Sequence, residues 1–338
     1  MEIAKNFSLK RFNTFGIDAK AKAFVEITSE EDVLEILSLK NFKNYRKFIL
    51  GGGSNILFTK DFDGLVIKNS IPGIEIISED DATATIEVGA GVIWNDLVTY
   101  CVNRNLGGIE NLALIPGTTG AVPIQNIGAY GEELSETFLK LDGVFINSVE
   151  KEIFVKNDCR FAYRNSIFKN ELKDKFVITK ICLKLNKNPV IKTEYGNVKN
   201  ELDKTGKTDF TIKDLSEVIT KIRKEKLPDP SVIGNAGSFF KNPEIKSEEY
   251  DLLREKFPDL KGYPSDDGNV KISAAWLIEK AGWKGFRKGS TGTHINHALV
   301  IVNYGTATGE EVLHFAKEIK KSIYEKFGVV LENEVNII

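Results

Sequence analysis

A chain of 338 residues with 42% apolar and 28% charged residues has the composition of an ordinary globular protein and is long for one core, so two or three packed units are expected. Its formal net charge of −2 offers no field for nucleic acid or an anionic membrane surface. Cys101, Cys159 and Cys182 lack C-x-x-C spacing, which argues against a disulfide framework and a zinc site, and no apolar run approaches a membrane span; a cytoplasmic protein without a bound metal is expected.

Residues 23–27 read as a strand and 30–39 as a helix capped by Ser29. Short β-branched or aromatic runs at 46–50 and 64–68 and the alternation at 84–89 predict strands, followed by a helix over about 92–104. Strands near 139–146, 151–155 and 176–185 come next. Leu215, Val218, Ile219 and Ile222 share one face of a helix over 214–226, which Leu227-Pro228-Asp229-Pro230 stops; a domain boundary belongs there. Helices at about 247–256 and 271–281, a strand at 297–303, and a helix at 309–327 follow, the last opened by a Thr308–Glu311 capping box and closed by Gly328. A strand over 329–337 would place Glu332 and Glu334 on one side. This is an α+β pattern without the βαβ rhythm of a doubly wound nucleotide fold.

Two segments carry ligand chemistry. Between Ile115 and Gly131, glycines 117, 120, 128 and 131 permit left-handed turns or close ligand approach, Pro116 and Pro123 stiffen the loop, and Gln125 and Asn126 offer amides to a polar heterocycle. Earlier, a strand ending at Leu50 runs into Gly51-Gly52-Gly53-Ser54-Asn55, whose backbone N–H groups and polar side chains suit a pyrophosphate. Neither a P-loop nor a Gly-x-Gly-x-x-Gly fingerprint is present.

Asn13-Thr14-Phe15-Gly16, Gly51 to Asn55 and Ile115 to Gly131 resemble the flavin-binding blocks of the MurB family, the UDP-N-acetylenolpyruvoylglucosamine reductases of peptidoglycan precursor synthesis. The likeness continues at Phe161 to Ser166, Lys226 to Pro230, Gly234 to Pro243 and Leu331 to Val335, in family order across nearly the whole chain. The resemblance implies the two-subdomain FAD-binding fold of the vanillyl-alcohol oxidase (PCMH-type) group plus a smaller α+β substrate domain. Residues 1–70 would form the first flavin subdomain, with 329–338 as a candidate strand returning to it. Residues 71–226 would form the second, and 227–328 the substrate domain.

It also implies the chemistry. NADPH reduces the flavin, which reduces C3 of an enolpyruvyl ether on UDP-N-acetylglucosamine; charge left at C2 is delocalised into the carboxylate as an enolate, and C2 then takes a proton. Family-matched Arg164 would grip the carboxylate bidentately. Ser238 would donate the proton, and Glu334 would assist at the enolate oxygen, although residue geometry alone does not choose it over Glu332. Gly51, Gly52, Gly53, Ser54, Asn55, Ile115, Pro116, Gly117, Thr118, Gly120, Gln125, Asn126, Gly128, Ala129 and Tyr130 would hold FAD. Tyr195, Lys226 and Asn242 would bind the UDP-sugar. The competing classes are a flavin oxidase of the same fold and a nucleotide-binding module without catalysis. Donor preference and oligomeric state are not encoded in any motif.

All three histidines (His294, His297, His314) lie outside the flavin blocks, so FAD is expected to be noncovalent. Acid or heat precipitation should release intact flavin into the supernatant; colour remaining with the polypeptide would show a covalent link.

Overall fold

The alternating runs Thr83–Gly89, Phe138–Phe145 and Phe176–Asn186 become the middle of a five-stranded antiparallel sheet, completed by Lys151–Val155 at one edge and Ile74–Glu79 at the other. One face of this sheet buries Ile86, Val88, Leu141, Ile181 and Leu183 against Trp94, Leu97 and Val98 of the helix Trp94–Val102 and against Leu215 and Ile219 of the helix Ile212–Lys226. From the other face Val144 and Val177 enter a second core with Val33, Ile36 and Leu37 of the helix Glu30–Ser38. Val25, Ile27, Leu65 and Ile67 of a four-stranded sheet close that core. The order of that sheet is Ile3–Ser8, Lys20–Ile27, Phe62–Asn69, Arg46–Leu50, its last two strands parallel.

The computed structural model describes residues 1–265 and 268–338. They divide into two compact units: Met1–Phe7, Ala21–Gly52 and Asp63–Arg223 form the first, and Ser8–Lys20, Gly53–Phe62 and Lys224–Ile338 the second. The chain therefore changes unit inside the Gly51-Gly52-Gly53 turn.

In the second unit, the strands Gly234–Ser238, Val300–Asn303, Thr291–Thr293 and Arg287–Lys288 form an antiparallel sheet against which the helix Gly309–Phe327 packs. A smaller sheet joins Glu244–Lys246, Asn269–Ile272 and Gly262–Pro264, next to the helix Ser247–Lys256. Asn13 holds the 8–20 segment in shape: its amide donates to the carbonyls of Leu9 (2.8 Å) and Ile17 (2.9 Å) and accepts from Ile17 N–H (2.9 Å). Among the described residues no helix is long and apolar enough to cross a membrane.

Thr308 forms the expected capping box with Glu311, and the expected Ser29 cap is completed into a box by Asp32. The helix expected over 271–281 starts later, at Ala274, because Asn269–Ile272 pairs as a strand. The strand expected over 329–337 shrinks to Asn336–Ile337, which pairs in parallel with Ile56–Leu57, plus an isolated bridge between Asn333 and Phe240. Val329, Leu331 and Val335 are buried as the alternation requires. Alternation reports which face of an extended segment is covered and says nothing about whether a neighbouring backbone supplies a ladder.

Two glycines of the last long helix separate the two reasons for lacking a side chain. A Cβ at Gly309 would lie 1.8 Å from the carbonyl oxygen of Phe58, whereas Gly328 has open space but φ +71°. Gly309→Ala should cost about 3 kcal/mol or more by overpacking against backbone, and Gly328→Ala about 1 kcal/mol from left-handed strain. Thermal melting should rank the two variants in that order.

Candidate active site

The first unit builds a glycine cradle. Gly52 and Gly117 approach so closely that a Cβ on Gly52 would lie 2.8 Å from Gly117 Cα, and one on Gly51 would lie 2.6 Å from Thr118 Oγ1. The 117–120 turn is fixed from behind by backbone bonds from Trp94 N–H to Gly117 O (3.0 Å), Thr119 N–H to Val92 O (2.9 Å) and Gly120 N–H to Ala90 O (2.9 Å). A Cβ at Gly120 would collide with Ala90 Cβ at 2.6 Å. Thr118 is only 4% exposed, and its hydroxyl is buried without a hydrogen-bond partner among the described residues. A buried orphan hydroxyl beside a side-chain-free turn suits a polar ligand with phosphate or heterocyclic acceptors, and FAD fits that donor set.

Asn126 requires a correction. It is fully buried at φ +42°, its Nδ2 donates to Glu133 Oε2 (2.6 Å) and Ala162 O (3.3 Å), and its Oδ1 accepts from Ser135 N–H (3.0 Å). The amide read as an offer to a heterocycle instead closes the loop on itself. Gln125 and Pro116 sit on the same glycine-rich block, Gln125 half-buried and Pro116 exposed.

Arg164 is held at φ +52° in the short turn bridged by Ala162 and Asn165. Its guanidinium donates to Gly128 O at 2.7 Å, and a Cβ on Gly128 would lie 3.2 Å from the same side chain. Gly128 therefore makes room for Arg164 as well as receiving its hydrogen bond. Ser166, nearly inaccessible, ties this block to the glycine-rich segment through Ile124 O (2.7 Å).

Arg223, on the helix Ile212–Lys226, escaped sequence reading. Its Nε is buried without a hydrogen-bond partner among the described residues, and its side chain bonds the Tyr130 phenol. Burial pulls its pKa below the ordinary guanidinium value; Tyr130 opposes that shift and the charge of Arg164 adds to it. Two guanidiniums that feel one another make the neighbourhood receptive to an anion. The available signal was a charged residue one position beyond Ile222, the end of the helix's buried stripe. Burial raises the Tyr130 phenol in turn, and the Tyr130 ring meets Tyr195 edge-on at 6.2 Å. Tyr195 itself is 61% exposed.

The second unit assembles the other candidates. Gly53 has φ +67° and its Cβ would meet Phe12 O at 2.0 Å, so only glycine fits the turn. Thr14 N–H donates to Gly53 O (3.0 Å), and Asn235 N–H donates to Thr14 O (3.0 Å). The Asn13–Gly16 block thus connects the glycine turn to the strand that carries Ser238. That strand ends in a bulge where Gly237, at φ +68°, bonds the Asn235 side chain (3.0 Å). One residue beyond Ser238, Phe239 O accepts from Glu334 N–H (2.8 Å), while Asn55 Nδ2 donates to Glu334 O (3.3 Å). The structure brings Ser238 and Glu334 into one hydrogen-bonded neighbourhood, together with Asn55, and Ser54 adjoins it. Glu332 is committed elsewhere: it is 73% exposed and pairs with Lys241 at 3.1 Å. Asn242 accepts from Ala274 N–H (3.0 Å) at the start of a helix, which leaves its NH2 group to donate, and Lys226 is exposed.

The family pattern described as UDP-N-acetylenolpyruvoylglucosamine reductase, C-terminal domain, matches residues 229–338, and that described as FAD binding domain matches residues 21–145. A UDP-N-acetylenolpyruvoylglucosamine reductase of Flavobacterium johnsoniae is 50% identical over 100% of both chains. The enzyme of the same name from Pseudomonas aeruginosa is 44% identical over 100% of this chain and 99% of its own. A crystal structure of the Thermus caldophilus reductase shares the fold, with a TM-score of 0.67 at 23% identity over 99% of this chain and 98% of that one.

The cradle gives a direct test. In Gly52→Ala the new methyl must displace Gly117 backbone, so flavin should bind about 10-fold or more weakly, equivalent to the roughly 1–3 kcal/mol cost of overpacking. Flavin-to-protein absorbance after purification should fall while far-UV circular dichroism is retained.

Proposed function

The chain belongs to the UDP-N-acetylenolpyruvoylglucosamine reductase family, and on that premise we propose how its own residues divide the work. The enzyme is an FAD-dependent oxidoreductase of peptidoglycan precursor synthesis. It reduces the enolpyruvyl group of UDP-N-acetylglucosamine-enolpyruvate to give UDP-N-acetylmuramate. Identity along the full chain carries this conclusion, and the glycine cradle with its buried Thr118 hydroxyl supports flavin as the group held there. NADPH as electron donor fits the family. A soluble nucleotide-sugar substrate suits a cytoplasmic enzyme.

We assign residues 1–70 and 71–226 to flavin binding and 227–328 to the substrate. FAD, when bound, supplies hydride-transfer chemistry; the protein's task is to hold the substrate and manage charge and one proton. Arg164 is fitted to the substrate carboxylate, because a permanent guanidinium already aimed by Gly128 needs little reorganisation as negative charge spreads from C2 into that carboxylate. Arg223, bonded to the neutral Tyr130 phenol, adds positive potential to the same neighbourhood. Glu334, whose backbone is held by Asn55 and Phe239, would act at the enolate oxygen; the surface ion pair of Glu332 makes that residue the poorer candidate. Ser238 Oγ delivers the proton to C2. Tyr195, Lys226 and Asn242 take the UDP-sugar, Lys226 as a mobile point charge for a phosphate and Asn242 through its remaining donor.

Ser238→Ala separates the steps. The hydroxyl acts only once C2 has become basic, so the variant should retain FAD and be bleached by NADPH at a near-normal rate. Reoxidation by the enolpyruvyl sugar should slow by roughly 10²–10⁴-fold or more. Slowing confined to the NADPH half-reaction would make Ser238 a cofactor-positioning residue and overturn its role as acid.

A further inference from the structure

Tyr195 lies in residues 187–197, which join the strand Phe176–Asn186 to the helix Val198–Asp203 without regular structure of their own. An exposed connector of this kind is ordinarily mobile. Here it is fastened to the hairpin that ends the glycine-rich block, where Gly128–Ala129 pairs with Glu132–Glu133. Lys192 Nζ contacts Glu132 Oε1 at 2.6 Å and Glu136 Oε2 at 2.9 Å. Asn111, almost inaccessible, donates to both Tyr130 O (2.8 Å) and Lys192 O (3.3 Å).

Glu132 is the unusual member of this cluster, a carboxyl only 5% exposed. Burial pushes its pKa up to about 7 and Glu136 adds to the rise, while Lys192 opposes it; the two carboxylates hold the Lys192 ammonium above its ordinary value. Surface ion pairs contribute little, but one whose carboxylate is shielded from water is much less screened. Nothing in the residue roles assigned above uses Glu132, Glu136 or Lys192.

We propose that Lys192 is a positioning residue: clamped between Glu132 and Glu136, it holds the Tyr195 segment on the glycine-rich hairpin and thereby sets the affinity for the UDP-sugar. The inference rests on the reading of Tyr195 as a substrate contact. Its physical basis is preorganisation. The ion pairs favour the arrangement in which the segment lies on the hairpin, so less of the binding free energy goes into ordering it. The hairpin also presents Gly128–Tyr130, so the clasp ties the substrate-facing segment to the flavin-facing one without touching either ligand.

The test uses FAD-loaded enzyme and the enolpyruvyl UDP-sugar without NADPH, so that binding is read calorimetrically and no turnover occurs. Lys192→Met should raise Kd about 5- to 20-fold, leave the rate of flavin bleaching by NADPH unchanged and retain the far-UV circular dichroism of the folded protein. Lys192→Arg, which keeps the charge, should restore binding. Tyr195→Ala should also weaken binding, and Lys192→Met should add nothing in that background, because the lysine acts through the tyrosine. Equal effects of Lys192→Met in both backgrounds, or no effect where Tyr195→Ala has one, would overturn the clasp. An unchanged Kd in Tyr195→Ala would instead remove the substrate reading of Tyr195, and the role of the clasp with it.

Discussion

Backbone meeting backbone, with no side chain between, is the constraint on which the first unit's site depends. Gly52 against Gly117 and Gly51 against Thr118 bring two loops far apart in sequence within a distance that one methyl group would forbid. That closeness leaves the Thr118 hydroxyl inside, without a hydrogen-bond partner among the described residues. Burying such a hydroxyl costs free energy unless a ligand satisfies it, so the fold carries a small local penalty that binding can relieve. The surrounding scaffold is correspondingly rigid, with the turn's other backbone groups bonded to Ala90, Val92 and Trp94.

Charge is used in two opposed ways around this cradle. Arg164 and Arg223 are like charges near a buried phenol, and each is oriented through neutral partners, Gly128 O and Tyr130. The Arg223 Nε, without a hydrogen-bond partner among the described residues, keeps a donor for an incoming anion. Lys192, by contrast, is neutralised by two carboxylates of its own unit. A buried guanidinium N–H left unbonded suggests recognition, and an ammonium answered by two acids suggests architecture. A cation's sequence position does not distinguish these cases; its partners do.

Much of the architecture was legible because its signals are local. The capping residues Ser29 and Thr308, the buried stripe Leu215, Val218, Ile219 and Ile222, and the strand runs at 46–50 and 84–89 each follow from spacing alone. The glycine-rich segments were also legible, since so many glycines beside prolines need a geometric reason. What stayed hidden depended on pairing at a distance. Asn126 looked like a ligand donor until Glu133, Ala162 and Ser135 were seen to occupy it. Asn13–Gly16 turned out to join Gly53 to the Ser238 strand, a relation that spans more than half the chain. Glu332 and Glu334 were equivalent by alternation; in the structure Glu332 is exposed and pairs with Lys241, while the Glu334 backbone is held by Phe239 and Asn55.

The parallel pairing of Asn336–Ile337 with Ile56–Leu57 has a consequence for biosynthesis. Thr59 bonds Ile338 O through both its N–H and its hydroxyl at 2.9 Å, and Ile338 N–H donates to Leu57 O at 2.9 Å. Thr59 and Ile338 are 279 residues apart in the sequence, the kind of nonlocal contact that slows folding. On the ribosome the 56–59 edge emerges well before its partner and must wait, unpaired, until residues 336–338 have been made. An apolar strand edge exposed for that interval is a site for off-pathway association. Helpers that shield nascent chains would therefore act on this short stretch throughout that interval.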